Sequence, residues 1–138
     1  MTLIRTFLDT GVLISAARGT GKEAERALQI IRDPNREFAS SQFLKLEVLP
    51  KALFNKIELE VAFYEAYFEF VAHWALETDK ILEEGYRQAA DFGLGAMDAL
   101  HIAAALETKS SEFFTSEKPI KSIHRTPSIP VISISDSV

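Results

Sequence analysis

Four acidic residues stand in places where a carboxylate could take part in chemistry. Asp9 ends a short apolar run, and Glu117 directly follows a predicted strand, "SEFFTS", at 111–116. Asp98 interrupts the apolar stretch "LGAMDALHIAAAL" at 94–106, and Glu47 has an aliphatic neighbour on each side. A carboxylate in apolar surroundings is costly to desolvate unless a hydrogen bond or a cation compensates it. These positions therefore indicate compensating partners.

A divalent cation would explain all four acids together. Ligands of open α/β sheets bind beyond the carboxyl ends of the strands, and each acid lies near such an end in the predicted element order. Unneutralised carboxylates within a few ångströms raise one another's pKa values. Hard oxygen ligands suit Mg²⁺ or Mn²⁺, which can activate water and stabilise a leaving oxygen in phosphodiester hydrolysis.

Each acid also has an ordinary interpretation. Asp9 precedes Thr10 and a glycine and is compatible with a turn, while Asp98 is compatible with an N-cap at the start of its helix. Glu47 could reach solvent past its apolar neighbours, and Glu117 could belong to a surface turn. The joint placement of the four residues at strand ends favours the metal site.

His101 follows Asp98 by three residues and lies on a neighbouring part of the same helix face. A general base or a ligand is possible, but we expect a satisfied core histidine bonded to a backbone carbonyl or a hydroxyl. Motifs for other chemistries are missing: the sequence has no G-x-S-x-G elbow, no Walker loop and no G-x-G-x-x-G. With no cysteine, it has no disulfides and no Cys-ligated metal sites.

Apolar runs and helical patterns alternate along the chain. This order predicts one α/β domain over residues 1–138, with a mostly parallel central sheet of four to five strands and helices on both faces. The predicted strands are 3–8, 36–40, 111–116 and 129–135, and the predicted helices are 12–19, 21–33, 41–54, 57–76, 78–93 and 94–106. Ser40 or Ser41 is expected to cap the third helix, and Pro50 to kink or stop it.

Composition restricts the class of protein. The 138 residues suffice for one domain with a real core, and the net charge of −5 argues against a protein that coats nucleic acid through a broadly positive surface. No apolar run approaches the roughly 20 residues of a membrane-spanning helix, and the N-terminus lacks the pattern of a signal peptide. We therefore expect a cytoplasmic protein without a membrane partner.

Four segments resemble the motifs of PIN domains: "TFLDTGVLI", "LKLEVL", "AMDALHIAAAL" and "FFTSEKPI". The resemblance covers nearly the whole chain, in the same order and spacing. It implies a metal-dependent endoribonuclease and, for a short stand-alone domain, a toxin of the VapC type that a small antitoxin inhibits. Carried over, the metal-binding and catalytic acids would be Asp9, Glu47, Asp98 and Glu117, supported by the hydroxyls of Thr10 and Thr115.

Two departures from the motifs leave a second possibility open. Gly11 replaces a polar residue, and Glu117 replaces an aspartate, which lengthens that side chain by one methylene. The alternative is a catalytically weak PIN-like module that binds RNA or protein. A phosphoryl-transfer hydrolase with Asp9 as nucleophile is a further alternative, against which the missing second aspartate in "DTG" speaks.

Surface features suggest where partners would bind. Lys118, Lys121 and Arg125 directly follow the last acidic position and would bind RNA at the rim, although solvated loop charge is an equal alternative. Helix 57–76 has two apolar stripes, and the second is either packed between neighbouring helices or a contact for an antitoxin or a homodimer. The first stripe holds Tyr64, Phe68, Val71 and Ala75, and the second holds Phe63, Tyr67, Phe70 and Trp74.

Overall fold

A five-stranded parallel sheet forms the centre of the protein. The computed structural model describes residues 2–135. The strand order is β3-β2-β1-β4-β5, and all four pairings are parallel. In chain order the strands are β1 Ile4–Leu8, β2 Arg36–Ser41, β3 His73–Ala75, β4 Glu112–Thr115 and β5 Val131–Ser133.

Six α-helices of the described segment flank the sheet, so the predicted α/β domain with a parallel sheet is confirmed. A short 3₁₀ turn, Ser122–Arg125, precedes β5. The helices are α1 Thr10–Arg18, α2 Gly21–Arg32, α3 Gln42–Phe54, α4 Glu58–Phe70, α5 Thr78–Phe92 and α6 Ala96–Glu107.

The order in which strands are added to the sheet reverses at the boundary between β1 and β4. From β1 it proceeds outward through β2 to β3, and it then returns to the other side of β1 with β4 and β5. The backbone N–H of Asp9 donates to the carbonyl of Phe114 at 2.9 Å, which joins the carboxyl ends of the two strands. Such a switch point is where open α/β sheets bind their ligands.

Tight packing across this boundary fixes the site's geometry. The rings of Phe7 and Phe113, paired in register on β1 and β4, stack with centroids 5.5 Å apart. Helix α6 contacts β2 and β3, and its small buried side chains allow a close approach to the sheet. These are Ala99, Ala103, Ala104 and Ala105.

The predicted helix 57–76 is wrong at its C-terminal end. Helix α4 ends at Phe70, and the following residue has extended backbone angles. The N–H of Ala72 donates to the carbonyl of Phe38 at 2.9 Å, and His73–Ala75 then pairs with β2. No glycine or proline marks this boundary, and the free edge of β2 supplies the hydrogen bonds that convert the segment into a strand.

The two apolar stripes of that segment are buried to different degrees. All four residues of the first stripe are buried, as predicted. In the second stripe Tyr67 is buried, Phe63 and Trp74 are half-buried, and only Phe70 is largely exposed. The second stripe is therefore mostly core, because it packs against neighbouring elements rather than forming one free surface.

Two smaller predictions about helix ends can be checked. Ser41 caps α3, and its hydroxyl accepts from the N–H of Leu44 at 3.2 Å. Pro50 does not stop α3, which continues to Phe54; the proline lies on the exposed side, where water can satisfy the freed carbonyl. Within residues 2–135, no helix has both the length and the apolar character to cross a membrane.

Candidate active site at the carboxyl edge of the sheet

Asp9 is held rigidly at the end of β1. Its side chain is 6% exposed and caps α1, with Oδ1 accepting from the N–H of Thr10 at 2.8 Å. Its Oδ2 accepts from the hydroxyl of Thr115, a fully buried residue at the end of β4, at 3.0 Å. Burial is the largest influence on this carboxyl and raises its pKa, against the lowering effect of His101 and of both hydrogen bonds.

Asp98 reaches the same edge from helix α6. The helix runs antiparallel to β1: its C-cap carbonyl, at Thr108, accepts from Arg5 at the start of β1 at 2.6 Å. Its N-terminus therefore lies at the carboxyl edge. Gly95 is the N-cap, so interpreting Asp98 as an ordinary cap is wrong. Burial first and the negative charge of Asp9 second raise the pKa of Asp98 to about 6.

Glu47 is fixed by two donors. The hydroxyl of Thr10 donates to its Oε1 at 2.6 Å, and Nε2 of His101 lies 2.5 Å from the same oxygen. The contact with His101 lowers the pKa of Glu47. The expectation that His101 bonds to a backbone carbonyl or a hydroxyl is therefore wrong, because α3 and α6 approach closely enough for its ring to reach a carboxylate.

Glu117 is the most peripheral of the four acids. The residue is exposed, and its backbone N–H donates to the hydroxyl of Thr115 at 3.1 Å. Its negative charge is close enough to contribute to the raised pKa of Asp98. All four acids thus lie around one edge, with Asp9 at the buried end and Glu117 at the exposed end.

Gly11 makes room for a serine. A Cβ at position 11 would stand 1.8 Å from Oγ of Ser116, so the hydroxymethyl group of Ser116 fills the space beside the first turn of α1. This contact could not be predicted from local patterns, because the two residues are 105 positions apart. The hydroxyl of Ser116, in the loop after β4, thus lies where a side chain at position 11 would begin.

The two edges of the sheet differ in how their acids are neutralised. At the amino edge, Glu37 pairs with Arg5 at 3.1 Å and Glu112 with Arg36 at 2.7 Å. At the carboxyl edge, neither Asp9 nor Asp98 has a lysine or arginine ion-pair partner within residues 2–135. Among the described residues, the carboxyl edge thus holds two carboxylates that no lysine or arginine neutralises.

The donor set fits a small hard cation with mostly water ligands. Within the described part of the chain, no three acidic or histidine side chains are arranged to hold a metal ion together. Mg²⁺ requires only one or two protein carboxylates, because it keeps several waters. Asp9 and Asp98 meet that requirement, and a cation between them would relieve the repulsion that raises the pKa of Asp98.

The predicted rim cations lie in the loop that follows β4. Lys118, Lys121 and Arg125 are exposed, and none has an ion-pair partner among the described residues. Nη1 of Arg125 lies 2.8 Å from where a Cβ on Gly93 would stand, and Gly93 has the left-handed φ of 71°. Arg125 therefore reaches the turn between α5 and α6, three residues before the start of α6, the helix that contains Asp98.

We predict that Asp98→Asn raises the free energy of unfolding of the metal-free protein at about pH 7. The carboxyl pKa is about 6 in the fold, above its ordinary value of 3.8, so the folded state binds more protons between these values. Wild-type stability then falls as pH rises from about 4 to about 6. The expected gain is only about 1 kcal/mol, because solvent around the half-buried group screens the repulsion.

Urea denaturation in EDTA between about pH 3 and pH 7 measures this effect. The variant and the wild type should be about equally stable near pH 3, below both pKa values, where Asp98 is largely protonated in both states of the wild type. Glu83→Gln, an exposed substitution on α5, is the control and should shift stability by less than about 0.5 kcal/mol. A variant less stable than the wild type at pH 7 would contradict the assigned repulsion.

Comparisons with known proteins agree with this architecture. The sequence model of the PIN domain matches residues 6–125. No curated protein matches the sequence. A toxin–antitoxin complex from Klebsiella pneumoniae is 22% identical, with a TM-score of 0.68 over 94% of this chain and 97% of that chain. DNA-bound VapBC from Salmonella typhimurium is 14% identical, with a TM-score of 0.71 over 96% and 99%.

A third structure, VapC20 from Mycobacterium tuberculosis, is a sarcin-ricin loop cleaving toxin. It is 11% identical, with a TM-score of 0.59 over 78% of this chain and 86% of that one. At these identities the solved structures share the fold with this protein. The match over residues 6–125 covers most of the sequence, and the chain therefore belongs to the PIN domain family.

Proposed function

We propose that this protein is a metal-dependent endoribonuclease that hydrolyses RNA phosphodiester bonds at the carboxyl edge of β1 and β4. The observation that carries the proposal is the pair of carboxylates, Asp9 and Asp98, held together without a lysine or arginine partner in residues 2–135. Membership of the PIN family and the VapC folds of its structural relatives support the same activity.

In this proposal the chain's own residues bind and orient the reacting groups. Asp9 and Asp98 would hold the cation, and the hydroxyl of Thr115 fixes the orientation of Asp9. Glu47 and Glu117 would accept hydrogen bonds from the water molecules that the cation keeps. Bound Mg²⁺ or Mn²⁺ supplies acidity to water and charge stabilisation to the phosphodiester.

The alternative of a catalytically weak PIN-like binding module can be tested at the same site. Glu117 is exposed and no set of three ligands exists in the described residues, which favours a module that binds RNA without rapid turnover. Cation-dependent RNA binding with no cleavage by the wild-type protein would assign that function instead.

We predict that Asp98→Asn and Asp9→Asn each lower the rate of RNA cleavage by about 100-fold or more, because activating a water needs the bound cation. Cleavage of a mixed RNA substrate with Mn²⁺, and with EDTA, measures this. Asp79→Asn, an exposed aspartate on α5, is the control and should keep full activity. Equal Mn²⁺-dependent cleavage by the wild type and Asp98→Asn would reject the site.

The rim cations are proposed to bind the RNA backbone beside the acids. We predict that Lys121→Ala with Arg125→Ala weakens RNA binding and reduces the slope of log affinity against log salt by about 1.4, or about 0.7 for each lost contact with a single strand. Arg32→Ala with Lys109→Ala is the matched control, since Arg32 ends α2, Lys109 follows α6, and both helices end at the opposite edge of the sheet. An unchanged slope in the first pair would remove the rim from the RNA path.

An antitoxin partner is proposed to cover an exposed face of α4, and the neighbours' toxin–antitoxin complexes support such a partner. Leu59 is 85% exposed, and it forms an apolar stripe with Ala62, Ala66 and Phe70. Glutamates 58, 65 and 69 flank the stripe. An amphipathic antitoxin helix with basic flanks would complement both features. The proposed antitoxin and the proposed RNA substrate together imply that the protein acts in the cytoplasm.

We predict that Leu59→Glu with Ala66→Glu weakens antitoxin binding by about 10-fold or more, because both substitutions place charge in an apolar contact. Titration calorimetry with the product of a small neighbouring gene measures this. Leu82→Glu with Ala90→Glu, on the exposed face of α5, is the matched control. If only self-association measured by light scattering is lost, the face belongs to the predicted homodimer instead.

A further inference from the structure

His101 is buried in a way that helical packing does not explain. The residue is 1% exposed and lies in α6 among alanines and Ile102. Its Nδ1 is buried and has no hydrogen-bond partner among the described residues. An apolar side chain of similar size would avoid that unsatisfied nitrogen, so core stability alone does not account for a histidine at this position.

The other ring nitrogen has a specific partner. Nε2 lies 2.5 Å from Oε1 of Glu47, and an ionised carboxylate can only accept a hydrogen bond. The proton of this contact is therefore on Nε2 of His101. The hydroxyl of Thr10 donates to the same oxygen at 2.6 Å. Two donors thus hold Oε1 and leave Oε2 without a hydrogen-bond donor in the described residues.

This contact places Glu47 near the two aspartates. Thr10 donates from its N–H to Oδ1 of Asp9 at 2.8 Å and from its hydroxyl to Oε1 of Glu47 at 2.6 Å, so the two carboxylates lie on either side of one residue. The charge of Glu47 also acts on the carboxyls of both Asp9 and Asp98. A glutamate on a helix surface has three freely rotating side-chain bonds, and its side chain here is still 34% exposed. Without the two donors it could turn away from the like charges beside it.

We propose that His101 is a positioning residue that holds Glu47 beside Asp9 and Asp98 in the orientation that cation binding requires. The inference rests on the proposed function, because cation affinity is its main readout. It assigns His101 no contact with the substrate or with the cation: the ring acts through the carboxylate of Glu47.

The test measures Mn²⁺ affinity of the RNA-free protein by titration calorimetry. His101→Leu should weaken Mn²⁺ binding by about 10-fold or more, as losses of ligand-orienting partners do. His101→Gln, whose amide N–H can donate to Oε1, should recover most of the affinity. In a Glu47→Ala background, His101→Leu should have no further effect, because the ring would have nothing to hold.

Controls separate positioning from folding. Ile102→Ala, one residue along α6, creates a cavity without touching Glu47 and should lower stability while keeping Mn²⁺ affinity. If His101→Leu does not fold, the Gln variant and the Glu47→Ala pair carry the test. The proposal is overturned if folded His101→Leu binds Mn²⁺ as tightly as wild type, or if His101→Gln loses as much affinity as His101→Leu.

A second readout needs no cation. Nitrogen-15 spectra of the metal-free protein should show a proton on Nε2 of His101. In Glu47→Ala this N–H should no longer be hydrogen-bonded, because its acceptor is removed. A ring protonated only at Nδ1 would overturn the inference. If the wild type binds no Mn²⁺ while the Nε2 proton is present and responds to Glu47→Ala, the proposed metal function fails and the contact that holds Glu47 stands.

Discussion

Asp9, which is buried, and Asp98, which is half-buried, carry like charges near one another, and the fold keeps them there. The parallel pairing of β1 with β4 places Asp9 at the switch point, and the antiparallel course of α6 brings Asp98 to the same edge. Small alanine side chains let α6 approach the sheet. Each of these features holds the repelling pair together, so the site is destabilising for the metal-free chain.

The two edges of the sheet differ in whether the chain neutralises its own acidic residues. At the amino edge, Arg5 and Arg36 neutralise nearby glutamates, so the chain uses its own cations where only stability is at stake. At the carboxyl edge, the free cations stand in the loop after β4 and not against the aspartates. The proposed cation between the aspartates and the proposed RNA along the rim would complement this arrangement.

Much of the fold could be predicted because its signals are local. Apolar residues mark β1, a pair of phenylalanines marks β4, and amphipathic periodicity marks α2 and α5. Strand β3 could not be predicted, since its three residues follow an aromatic helix without a break in pattern and become a strand only by pairing with β2. The acids at strand ends were visible from spacing, whereas the contacts of Glu47 with His101 and of Gly11 with Ser116 depend on approaches between distant segments.

Crystals of the wild-type protein grown with Mn²⁺ test the shared cation most directly, through its anomalous scattering. The account predicts one strong peak at the carboxyl edge, with a carboxylate oxygen of Asp9 and one of Asp98 each about 2.1 Å from it. The same peak should be absent from Asp98→Asn crystals. An Mn²⁺ peak at another place in the molecule would contradict the account. So would the absence of any peak in crystals where the two carboxylates face separate regions of solvent.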